Sequence, residues 1–158
     1  MNISVICVGK LKEKYLRDAV SEYSKRLSRF CRLEITELPD EKIPDNASDK
    51  QTAQILEREG QMILAKIKDG VPIIAMCIEG ELVSSEAFAQ KIEQLAMQSG
   101  RAAFVIGGSL GLSDEVKRRA AAKFSFGRIT LPHQLMRVVL SEQLYRAYKI
   151  INNESYHK

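Results

Sequence analysis

Apolar positions along the chain alternate between two periods. Residues 3–8 form a nearly unbroken apolar run closed by Gly9, the pattern of a strand buried on both faces. Leu11, Tyr15, Ala19, Val20, Tyr23 and Leu27 then recur at three- and four-residue steps, which predicts a helix over residues 11–29. Residues 32–38 alternate apolar and polar as a strand does, and a polar, proline-flanked loop covers 39–46. Ser48 and Gln51 have the form of a capping box, opening a helix that runs to about Ile67. Residues 71–78 read as a strand stopped by Glu79-Gly80. A helix capped by Ser84 or Ser85 ends near Gly100, and a strand follows over 102–106. Ser113, with Asp114 and Glu115 in the first turn, opens another helix, where acidic groups suit the dipole. A short strand at 123–126, a long helix from Gln134 to about Ile151 and a polar tail complete the chain. Strands alternating with helices predict an α/β fold with a mostly parallel sheet flanked by helices. With no internal repeat or linker, residues 1–158 are expected to form a single domain.

Composition narrows the class. The chain is 45% hydrophobic and 28% charged, as in a globular protein. No apolar run approaches the roughly 20 residues that span a bilayer, and the N-terminus enters a strand pattern at once. The expectation is a cytoplasmic protein without a signal peptide or membrane partner. Cys7, Cys31 and Cys77 are widely spaced, and each sits in or beside an apolar run. They are expected to be small buried hydrophobes, with no metal site. Net charge is +4, distributed unevenly: residues 110–158 carry nine Lys/Arg against four Asp/Glu, and residues 1–109 carry fifteen against sixteen. Both histidines lie in the basic segment. A basic surface beside a pocket suits a polyanion such as nucleic acid, although a solvated helix face has the same composition.

Candidate chemistry gathers in the same segment. Phe104-Val-Ile-Gly-Gly-Ser-Leu-Gly-Leu-Ser113 and Phe126-Gly-Arg-Ile-Thr-Leu-Pro-His-Gln-Leu-Met-Arg137 each run from a strand through a loop into a helix. Open α/β sheets bind ligands at the carboxyl ends of their strands, so the two loops can wall one pocket. Gly107 to Gly111 also fits G-x-S-x-G, the pattern of a nucleophile elbow at Ser109. Asp114 follows too closely to be a comfortable triad acid, however, and no HGGG-type loop is present. Neither G-x-x-x-x-G-K-[ST] nor G-x-G-x-x-G occurs, which argues against a nucleoside triphosphate or dinucleotide. A ligand carrying adenosine without phosphates remains compatible. In the last helix Met136, Val139, Leu140, Leu144, Ala147, Ile150 and Ile151 form a core face. Gln134, Arg137, Ser141, Glu142, Tyr145, Arg146 and Lys149 are expected on the outward side, a mixture that suits an interface or a site.

Val8-Gly-Lys-Leu-Lys-Glu-Lys-Tyr15, Pro39-Asp-Glu-Lys, Phe104-Val-Ile-Gly-Gly-Ser, the run from Leu131 to Ala147 and the terminal Tyr-His-Lys together resemble the ribosomal RNA large-subunit methyltransferase H family of the SPOUT superfamily. The resemblance spans the chain and is most specific over 132–147. It implies an α/β fold whose C-terminal segment threads a loop into a trefoil knot, a homodimer, and S-adenosylmethionine as cofactor. It also implies methylation of N3 of a pseudouridine in helix 69 of 23S rRNA within the assembled 70S ribosome. By motif, the cofactor loops fall at Met76, at Gly107 and along Phe126, Gly127, Arg128, Ile129, Thr130 and Leu131. Met76 stands where relatives often have leucine, a swap that conserves volume. N3 must lose a proton, and His133 and Glu142 are candidates for handling it. Arg137 is a candidate for stabilising charge on the base or holding phosphate, and Tyr156 and His157 for positioning RNA. Two other readings stay open, a non-catalytic RNA- or ribosome-binding factor and a small serine hydrolase.

Overall fold

The computed structural model describes residues 1–156. Five strands, β1 (Asn2–Val8), β2 (Arg32–Leu38), β3 (Ile73–Leu82), β4 (Arg101–Ile106) and β5 (Ala122–Ser125), alternate with five helices. These are α1 (Lys14–Leu27), α2 (Asp49–Ala65), α3 (Ser85–Gln98), α4 (Asp114–Arg119) and α5 (His133–Ile151). The strands make one sheet in the order β2-β1-β4-β3-β5, and every neighbouring pair is parallel. This is the α/β architecture that the alternating pattern predicts.

The apolar run of β1 follows from its place inside the sheet. Ile3, Val5 and Cys7 point into one core with Phe104, Ile74 and the helix residues Leu27, Phe88, Ile92, Leu140 and Leu144. Ile6 and Val8 point into a second core with Ala75, Val105, Ile63 of α2 and Val116 of α4. Helices α1, α3 and α5 therefore cover one face, and α2 and α4 the other. The Ser48 capping box forms as its sequence implies, with Gln51 N–H donating to Ser48 Oγ at 3.2 Å and Ser48 N–H to Gln51 Oε1 at 2.8 Å. Ser113 caps α4 by accepting from Val116 N–H.

Two boundaries depart from the pattern by three residues or more; the others shift by one or two. α1 starts at Lys14, after Glu13 in extended conformation, because Leu11 and Lys12 use their amides elsewhere. Leu11 N–H donates to Glu37 Oε1 at 2.9 Å, and Lys12 N–H to Gln134 Oε1 at 3.0 Å. β3 does not stop at Glu79-Gly80 but continues to Leu82, with a register shift against β5 between Met76 and Glu81. Gly80 permits this, since a Cβ there would sit 2.7 Å from the Phe124 carbonyl carbon.

Candidate functional site

A cavity of about 720 Å³ opens at the carboxyl ends of β3, β4 and β5, within the range of small-molecule sites. Three chain segments make most of its wall, residues 76–79 of β3, the glycine loop after β4, and residues 124–133 running from β5 into α5, with Lys117 of α4 and Met136 of α5 completing it. Met76, Gly107, Phe126, Gly127, Arg128, Ile129, Thr130, Leu131 and His133 all line it.

The glycine loop is a tight turn. Gly111 N–H donates to Gly108 O at 3.1 Å, and Gly111 holds φ +83°, a conformation that costs little only for glycine. The loop folds back so far that a Cβ on Gly107 would overlap the Gly111 carbonyl. Bare backbone therefore faces the cavity. Ser109 sits exposed at the tip of the turn, four residues before Ser113 caps α4, and not at the strand-to-helix junction that an elbow requires.

The third wall is fastened from two sides. Ser125 Oγ donates to Gly127 O at 2.6 Å, and the Arg128 guanidinium donates to the carbonyls of Ile78 and Gly80. Phe126 packs edge-on against Phe88 of the core at 5.2 Å. Ile129 is 82% exposed at the rim.

At the β1 side, Arg137 departs from the outward position that its helix face suggests. It is 1% exposed, and Ser141 is buried one turn further on. Arg137 Nη2 donates to Gly9 O at 2.6 Å and Val8 O at 3.1 Å, and Nη1 to Glu37 Oε1 at 2.7 Å. The reason is topological. Parallel strands β1 and β2 end side by side; Leu38 O of β2 accepts from Gly9 N–H at 2.7 Å, while Val8 O, Gly9 O and the Glu37 carboxylate call for a further donor. Arg137 supplies it from a helix that passes over them. Gly9, at φ +88°, completes the junction, and a Cβ there would press on His133 Nε2 at 3.0 Å. Burial first, and then the Arg137 charge, lowers the His133 pKa below its ordinary value of 6.5, with Asp40 opposing. The imidazole at the cavity wall is thus neutral at pH 7.

Glu142 and Tyr156 lie elsewhere. Glu142 Oε1 accepts from Arg146 Nη2 at 2.7 Å and from the Tyr156 hydroxyl at 3.2 Å, and Gln143 donates to Oε2 at 2.6 Å. Arg146 stands over the Tyr156 ring at 4.8 Å, and Tyr145 meets that ring edge-on at 4.9 Å. At 1.5 Å per helical residue, Glu142 is about 13 Å along α5 from His133. One chain therefore brings His133 to the cavity, sets Arg137 behind it, and gathers Glu142 and Tyr156 in a second cluster. His157 lies outside the described residues.

Sequence reading did not single out Glu37, Glu59, Glu79 or Lys117. Each takes its place from contacts between distant segments that no local spacing signals. Among the described residues, no group of three or more His, Cys, Asp or Glu is placed to hold a metal ion. No helix among them is long and apolar enough to cross a membrane.

Residues 1–157 match a family model described as "Predicted SPOUT methyltransferase". The chain is 60% identical over 159 aligned residues to the ribosomal RNA large subunit methyltransferase H 1 of Clostridium perfringens (strain SM101), with 100% of both chains covered. This chain belongs to the ribosomal RNA large subunit methyltransferase H family of SPOUT methyltransferases. At the same full coverage, it is 57% identical to the family's protein from Clostridium novyi and 53% identical to that from Listeria welshimeri. Membership in a methyltransferase family gives the chain a reaction class and removes the hydrolase reading, which the turn at Ser109 already disfavoured.

The residues present fit S-adenosylmethionine. The cavity offers apolar side chains for the faces of a base and bare loop backbone for its edge. Gly107 has no room for a Cβ, and no phosphate-binding motif of a known type is present, which suits a nucleoside without phosphates.

Proposed function

We propose that this protein methylates 23S rRNA in the assembled 70S ribosome, using S-adenosylmethionine, at N3 of a pseudouridine in helix 69. The observation that carries the reading is the cavity itself: a glycine loop and the 126–131 loop enclose an adenosine-sized space with neutral His133 on its wall. The names of the full-length relatives support ribosomal RNA as substrate.

Bound cofactor supplies an activated methyl on a sulfonium, so the protein mainly aligns the acceptor and excludes water. Met76 and Phe126 cover the base, and the backbones of Gly107 and of 127–131 read its edge. His133, neutral at pH 7, accepts the N3 proton, directly or through one water. Arg137 acts as a positioning residue: it fixes the start of α5 to the end of β1, and its charge adds to the burial that keeps His133 neutral. A direct role for Arg137 on phosphate or on the uracil anion would require its guanidinium to leave Glu37 and two carbonyls.

Glu142 and Tyr156 can serve the same reaction only if a second copy brings that cluster to the cavity, so the active form is a homodimer; His157 is assigned to positioning RNA beside Tyr156 in the sequence. The apolar residues Ile129, Leu131 and Leu135, exposed near the cavity mouth, support such an interface. The segment 126–132 leaves edge strand β5 and reaches Gly9 at the end of β1. It is the segment we assign to the trefoil knot. A ribosomal substrate places the protein in the cytoplasm, with no metal and no membrane in its action.

Transfer of labelled methyl to intact 70S ribosomes tests the proposal, with separated subunits and naked rRNA as controls and mapping of the modified nucleotide. Label on a helix 69 pseudouridine that depends on the assembled ribosome is expected. No label, with no cofactor binding by calorimetry, would instead leave a non-catalytic ribosome-binding factor.

A further inference from the structure

Charged side chains at the cavity wall are few. Among the described lining residues they are Glu79, Lys117 and Arg128. The Arg128 guanidinium is engaged by the Ile78 and Gly80 carbonyls. Glu79 and Lys117 are joined to each other, Lys117 Nζ to Glu79 Oε1 at 2.5 Å, with the Glu79 side chain 51% exposed. An exposed ion pair adds little to stability, so the fold gains little from placing one on a cavity lined mostly by apolar side chains and backbone.

Its position is informative. Glu79 stands on the part of β3 that continues past the register shift, and Lys117 stands on α4. The sheet order puts β4 between β1 and β3. At about 4.8 Å between strands, Glu79 therefore lies roughly 10 Å across the sheet edge from Gly9 and His133. If the methyl-bearing end of the cofactor points toward His133, its nucleoside end reaches toward β3 and β5.

A ribose presents two adjacent hydroxyl donors, and an ionised carboxylate is an acceptor with about four lone-pair sites. The same chemistry lets an acidic residue read a ribose in dinucleotide-binding folds. Lys117 occupies one oxygen of Glu79 and limits the sweep of a half-exposed side chain. Its hydrogen bond is also the main reason that the Glu79 pKa is lowered, which keeps the acceptor charged.

We propose that Glu79, held in place by Lys117, accepts hydrogen bonds from the ribose hydroxyls of the nucleoside bound in the cavity. The inference rests on the reading of the cavity as an S-adenosylmethionine site. Glu79 is then a binding residue and Lys117 a positioning residue that acts through it. The carboxylate also disfavours nucleosides that carry phosphate at or near the ribose, through like-charge repulsion.

Calorimetry on the full-length protein tests this with S-adenosylhomocysteine and its 2′-deoxy and 3′-deoxy analogues. The unmodified protein should bind S-adenosylhomocysteine about tenfold more tightly than the deoxy analogues, as expected for hydrogen bonds to a charged acceptor. In Glu79→Ala that preference should fall to about twofold or less, and Glu79→Gln, which keeps the shape, should lose most of it. Lys117→Met should reduce the preference in part, and adding it to Glu79→Ala should change nothing further, the mark of residues that act as a unit. Thermal melts check that each variant is folded. An undiminished preference for the ribose diol in folded Glu79→Ala and Glu79→Gln would overturn the inference while leaving the cofactor reading intact. Failure of the unmodified protein to bind S-adenosylhomocysteine would overturn both.

Discussion

Arg137 and Glu37, one hundred residues apart in sequence, meet at 2.7 Å where β1 and β2 end, and the same guanidinium holds the carbonyls of Val8 and Gly9. The junction joins the first two strands to the last helix. Removing the guanidinium would leave two buried carbonyls without this donor and the half-buried Glu37 carboxylate with the Leu11 N–H but no cation. Arg137→Ala should therefore cost about 3–5 kcal/mol of stability, the scale for breaking a buried pair. Arg137→Lys should recover only part of this, because an ammonium cannot reproduce the guanidinium fork. Urea denaturation of the two variants measures both effects.

His133 gives a pH dependence whose sign is set by the direction of its shift. Burial, followed by Arg137 and Lys12, lowers its pKa below 6.5. Below that pH the unfolded chain takes up a proton that the folded protein resists, so stability is full above about pH 6.5 and falls as acid is added. An NMR titration should place the His133 midpoint below 6.5, and a stable Arg137 variant should move it upward. If His133 accepts the N3 proton, kcat/KM should stay level from neutral pH down and fall only below 6.5. His133→Gln should remove that limb along with most of the rate.

Two substitutions in the glycine loop should separate sharply. Gly107→Ala sets a methyl against the Gly111 carbonyl, so the turn must open. The variant should lose S-adenosylhomocysteine binding, read by calorimetry, by tenfold or more, as about 1.4 kcal/mol of strain suffices for that factor. Ser109→Ala, at the exposed tip, should bind the ligand and transfer methyl as the unmodified protein does. A large loss of activity there would revive a nucleophilic role for Ser109.

Glu59 is buried in α2, with Oε1 accepting from Glu41 N–H at 3.1 Å and Oε2 without a hydrogen-bond partner. Burial raises its pKa, the bond from Glu41 N–H opposes the rise, and the Asp40 and Glu41 charges add to it. A carboxyl raised in the folded state costs stability as pH climbs above its unfolded value of about 4.3. Glu59→Gln should therefore melt higher than the unmodified protein at pH 7–8, and the two melting curves should converge near pH 4. Lower melting at every pH would show that the charged form is needed where it stands.

Much of the fold was legible because buried parallel strands and amphipathic helices write different periods. Residues 3–8, 32–38 and 102–106 matched β1, β2 and β4 closely, and Ser48 marked the start of α2. The misjudged features share one physical cause. Gly80 reads as a stop, yet here it lets β5 approach β3, a contact 44 residues away that no local pattern carries. Arg137 reads as a solvent-facing residue because helical periodicity sorts by polarity, and the acceptors that draw it inward lie at residues 8, 9 and 37. The loops of the cavity were marked by their glycines and by family resemblance. The Glu79–Lys117 pair was not, since it joins a strand extension to a six-residue helix.

The placement of α5 also bears on how the chain is made. Its buried residues Leu140, Leu144 and Ala147 close the core that begins with Ile3 and Val5 in β1, and Arg137 ties that helix to the end of the first strand. Until α5 emerges during synthesis, the core beneath it is covered only in part, by α1 and α3, and the cavity lacks its His133 wall. Such dependence on contacts between the two ends of a chain slows folding and leaves nascent or truncated molecules prone to aggregate. A product that stops before α5 would lack both the helix that closes this core and the wall that carries His133, so the cavity is complete only once α5 has folded onto β1.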